Sequence, residues 1–66
     1  MMQAILKKVT DLKNELTANN GIIPDSWLPE IKIIEFLLTI ARVFVPDNIK
    51  TDIDLILSAI RNLENN

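Results

Sequence analysis

Between Ile31 and Val45 the chain places eleven apolar residues in fifteen positions. The four exceptions, Lys32, Glu35, Thr39 and Arg42, stand three or four residues apart. At about 100° per residue this spacing gathers the four polar side chains into roughly 80° of a helical wheel and leaves an apolar arc of about 240°. A helix on the surface of a small bundle buries a stripe of somewhat over 100°. The segment therefore predicts a helix with about twice the apolar surface that a solitary small domain needs.

The chain has 66 residues, and that length limits what it can hide. Three or four large side chains left in water forfeit roughly 5 to 12 kcal/mol, at about 1.5 to 3 kcal/mol each for full burial. A core of this size usually leaves only about 3 to 5 kcal/mol of net stability. The surplus surface is thus expected to be covered by a second copy, another protein or lipid. The internal alternative is that the connector residues Ile22, Ile23, Trp27 and Leu28 fold back over the central helix. They suffice for one flank of it.

The flanking segments also carry the helical period. Met2, Ile5, Val9, Leu12 and Leu16 share a stripe, with Leu6 beside it, and predict a first helix over about 2–19. Asn19-Asn20-Gly21 supplies residues that tolerate positive φ for its stop, with Ile22 in place for the accompanying hydrophobic contact. Pro24 prevents the helix from resuming. A second helix is predicted over 27–45, capped by Asp25 or Ser26, with Pro29 in its first turn and Pro46 at its end. Ile49, Ile53, Ile56, Ile60 and Leu63 repeat at heptad spacing and predict a third helix over 48–64, with Asp47 or Asn48 as cap. The short break at Pro46 makes helices 2 and 3 an antiparallel hairpin. Eleven Ile residues invite a strand reading, but alternation lasts only a few residues anywhere, whereas the 3.6 period holds through all three segments. The fold class predicted is all-α: one domain over 1–66, a small three-helix bundle or a helical hairpin plus N-terminal helix, assembling as a homo-oligomer.

Composition narrows the chemistry. There is no Cys and no His, so a disulfide is excluded and a structural zinc site lacks its usual ligands. The hydroxyls of Thr10, Thr17, Ser26, Thr39, Thr51 and Ser58 have no imidazole to serve as base, and the single Gly, Gly21, cannot build a phosphate loop. Asp52 and Asp54 point about 200° apart on a helix and cannot share one cation. Glu35, Arg42 and Lys32 read as a solvated stripe, or as charges setting register across an oligomer. No catalytic, cofactor or metal site is expected, and no enzymatic activity. A formal charge of −2 and a pI near 4.8 disfavour nucleic acid. Fifteen residues of helix reach about 22 Å, short of a membrane core of roughly 30 Å, and the N-terminus lacks the pattern of a secretory signal. The chain reads as complete and cytoplasmic.

Function then rests on the central helix. Trp27, Ile33, Phe36, Leu37, Ile40, Val43 and Phe44 are the expected interface of a structural or protein-interaction module, with a homodimer as the simplest partner arrangement. Trp27 has two roles open to it, a lid on the bundle end or a contact anchor. The alternatives for the same surface are peripheral lipid contact and an adaptor subunit that meets a different protein.

Overall fold

The computed structural model describes residues 2–65, and among them the regular structure is entirely helical: α1 Met2–Ala18, a 3-10 segment Asp25–Glu30, α2 Ile31–Ala41 and α3 Asp47–Glu64. α1 ends as predicted. Asn20 and Gly21 take φ of 60° and 78°, and the Gly21 N–H donates to the Leu16 carbonyl at 2.9 Å while the Asn20 N–H donates to Thr17 at 3.1 Å. This is the paired arrangement that satisfies the last carbonyls of a helix. Ile22 does not make the expected hydrophobic contact, being 66% exposed; Ile23 turns into the core instead.

The second helix is shorter than 27–45. Pro29 has no N–H to donate and disfavours α geometry at Leu28, so residues 25–30 wind as a 3-10 segment and α2 begins only at Ile31. At the other end, Pro46 disfavours α geometry at Val45. The preceding turn tightens, with the Val43 N–H donating to Ile40 at 3.1 Å and the Phe44 N–H to Ala41 at 2.9 Å. The cap of α3 is Pro46, whose backbone is extended, and no side chain of Asp47 or Asn48 caps it.

α3 lies between the other two helices, packing on both, whereas α1 and α2 meet only weakly. Its direction is set at both ends of the hairpin. Lys32 at the start of α2 pairs with Glu64, and Arg42 just past its end pairs with Asp54. Lys13 of α1 reaches Asp52 at 3.6 Å. The helices therefore run up, down and up. The core joins Val9, Leu12 and Leu16 of α1 to Ile34, Leu38 and Ala41 of α2, and both sets to Ile53, Ile56, Leu57 and Ile60 of α3. Ile23, Trp27 and Val45 from the connectors close its ends.

Candidate functional site

α2 presents three surfaces, each about one third of its circumference. Ile34, Leu38 and Ala41 are buried against the core. Around the wheel from them lie the four polar residues, and these are engaged within the chain. Arg42 donates from Nε to Asp54 Oδ1 at 2.7 Å and from the guanidinium to Oδ2 at 3.1 Å. Lys32 donates to Glu64 and sits 3.7 Å from Glu35, and the Thr39 hydroxyl donates back to the Glu35 carbonyl at 2.8 Å. The charged stripe therefore serves the α2–α3 hairpin. The Glu64 hydrogen bond and charge raise the Lys32 pKa, and the Asp54 hydrogen bonds raise that of Arg42. The reciprocal hydrogen bonds hold Asp54 below its ordinary range.

The third surface is apolar and open. Ile33, Phe36, Leu37 and Ile40 fall within roughly 100° of one another on the wheel, and Val43 and Phe44 prolong the row beyond the helix end. All six are between 44% and 73% exposed. The connector does not cover them: Ile23 and Trp27 go into the core, while Ile22 and Leu28 remain outside. A folded chain of 7.5 kDa is expected to expose about 4,250 Å². This one exposes 4,643 Å² although its radius of gyration, 11.1 Å, is that of a compact 66-residue fold.

Trp27 stands apart from the other six predicted interface residues. It is only 4% exposed, and its indole N–H donates to Glu15 Oε1 at 3.4 Å. It belongs to the core and not to the open face.

One wall of the site is not visible in the helical wheel of α2. Because α1 and α2 scarcely touch, a groove of about 390 Å³ opens between them, lined by Ala4, Ile5, Lys8, Val9 and Leu12 on one side. Ile34, Leu37, Leu38, Ile40, Ala41 and Phe44 form the other. Leu37, Ile40 and Phe44 are thus both part of the exposed face and the lip of the groove. The small residues Ala4 and Ala41 line it from opposite helices, and their size was the available signal. A second cavity of similar volume lies between the C-terminal halves of α1 and α3, among Leu16, Thr17, Asn20, Leu55, Ser58 and Asn62. It holds no titratable side chain. Asp52 and Asp54 face opposite ways, one toward α1 and one toward α2, and each has its own cation.

No helix among the described residues is long and apolar enough to cross a membrane. Comparisons with models of known families, with curated proteins and with solved structures find no match.

Proposed function

We propose that this chain is a small non-catalytic interaction module that associates with itself through the open face of α2, most simply as a two-fold dimer. One observation carries the reading: a continuous apolar row from Ile33 to Phe44 stays in contact with water on an otherwise compact fold. The largest apolar patch on an ordinary monomer is about 300 to 600 Å², and patches beyond that size mark interaction sites. The disposition of charge favours protein over anionic lipid as the covering surface. Lys32 and Arg42, the two cations of α2, are already paired with acids of α3, and no polybasic cluster borders the row.

Sedimentation equilibrium across the micromolar range tests the reading. Twice the chain mass of 7.5 kDa is expected, and Phe36→Asp is expected to give the single mass with undiminished helicity. A wild-type chain that stays monomeric throughout that range rejects self-association. Co-sedimentation of such a monomer with lipid vesicles would assign the face to lipid.

A further inference from the structure

We propose that the groove between α1 and α2 is a binding site for a free fatty acid, with the acyl chain among its apolar walls and the carboxylate on Lys8. The site does not depend on self-association, because Ile33, Phe36 and Val43 of the open face do not line the groove.

Its size fits one acyl chain. α3 packs on both neighbours while α1 and α2 meet only weakly, so the space between those two stays unfilled. The walls follow α1 from Ala4 to Leu12 and α2 from Ile34 to Ala41, with Phe44 beyond the helix end. At 1.5 Å per residue the longer wall is about 12 Å. One acyl chain occupies about half of a bilayer core of roughly 30 Å, which is close to that length. Volume gives the same answer. An apolar cavity of about 150 Å³ takes up benzene, with six carbons, so on that scale a groove of about 390 Å³ holds roughly fifteen non-hydrogen atoms. Dodecanoate is of this size.

Its chemistry selects the headgroup. Every lining residue but Lys8 is apolar, so the walls offer water no other side-chain partner. The Lys8 ammonium has no ion-pair partner among the described residues, whereas its neighbour Lys7 is paired with Asp11 at 3.1 Å. No acidic side chain lines the groove. An apolar cleft with one fixed cation orients a ligand that has an apolar body and a single negative end. The chain as a whole carries a net charge of −2, which repels anions from the rest of its surface. A preference for an anionic amphiphile must therefore originate at Lys8.

The test is calorimetric titration of the whole chain with dodecanoate below its micelle concentration. Dodecyltrimethylammonium, of the same chain length and opposite charge, is the control. Saturation at one dodecanoate per chain is expected, at least tenfold tighter than the cation, with methyl NMR shifts centred on Ile5, Val9, Ile34 and Leu38. Lys8→Glu should reverse the order of the two amphiphiles. Ala4 is exposed, so Ala4→Trp obstructs the groove without entering the core. It should weaken dodecanoate at least tenfold with the circular dichroism unchanged. Uptake without saturation, equal affinity for both amphiphiles, or indifference to Ala4→Trp would overturn the site. Shifts centred on Phe36 and Val43 would overturn it too, by moving the ligand to the open face. A wild type that binds dodecanoate in the groove as a monomer would reject self-association and keep the fatty-acid site.

Discussion

Ile53, Ile56 and Ile60 lie on α3 where it meets both neighbours, and their side chains have no exposure at all. Ile is only a moderate helix former, so three of them in one helix are held by packing and not by local preference. Truncating such a residue removes transfer energy and leaves a cavity, at about 2 to 5 kcal/mol. That equals the whole stability expected of a core this small, about 3 to 5 kcal/mol. Ile56→Ala is therefore expected to be largely unfolded at 25 °C, whereas Leu55→Ala, one position away and half exposed, should keep a urea midpoint near the wild type's. A large shift for Leu55→Ala would mean that the outer side of α3 is also covered. Trp27 makes the matching case in the connector. Buried beside Glu15, the only Trp should emit at short wavelength, and Trp27→Ala should lower the melting temperature without releasing a partner. Its sequence context, between Pro24 and Pro29, suits a lid and an anchor equally. Only the path of the connector decides, and that path depends on which side of the 3-10 segment meets α1.

The helices themselves are legible because each has a stripe at 3.6-residue spacing, and α1 ends at Asn20 and Gly21 because those residues take φ of 60° and 78° at little steric cost. Gly21→Ala tests this: a Cβ there meets nothing within 4 Å, so a loss of about 1 kcal/mol would come from backbone conformation alone. The limits of α2 are less legible. Pro29 fits the first turn of a helix on paper, but the chain resolves its constraint by winding 3-10 for six residues first. The polar stripe is legible as a stripe but not as to whom it faces, since Glu64 and Asp54 come from a different helix. Those pairs have a pH signature. Arg42 holds the Asp54 pKa below its ordinary 3.8 in the folded chain. Its contribution is complete above that value and disappears as pH falls through the lower folded value. The melting temperatures of wild type and Asp54→Asn should therefore differ most near neutrality and converge in acid below 3.8. Lys32 has the opposite sign: raised above 10.5 by Glu64, it contributes fully below 10.5 and ceases to do so as pH climbs past the folded value. Both effects should be small, because the pairs are exposed and screened.

For the whole molecule the question is whether its folded state is that of one chain or two. The apolar row on α2 is readable from the sequence because a helical wheel involves one element only. The groove is not, because it exists where α1 and α2 fail to close, and nothing in either segment states that distance. Concentration links the two descriptions. If folding and association are coupled, each tenfold rise in protein concentration favours the dimer by about 1.4 kcal/mol. For two chains of this length that corresponds to a melting temperature higher by about 5 °C per decade of concentration. A chain folding alone shows no such dependence. Phe36→Asp should abolish the slope, and its melting temperature should fall below the wild type's by an amount that grows with concentration. The side chain is 63% exposed in the isolated chain, so its replacement removes little from the core of one copy. A loss that appears only at high concentration must therefore come from the second copy. A wild-type melting temperature that is flat from micromolar to millimolar would place all of the stability within the single chain and leave the row from Ile33 to Phe44 facing water.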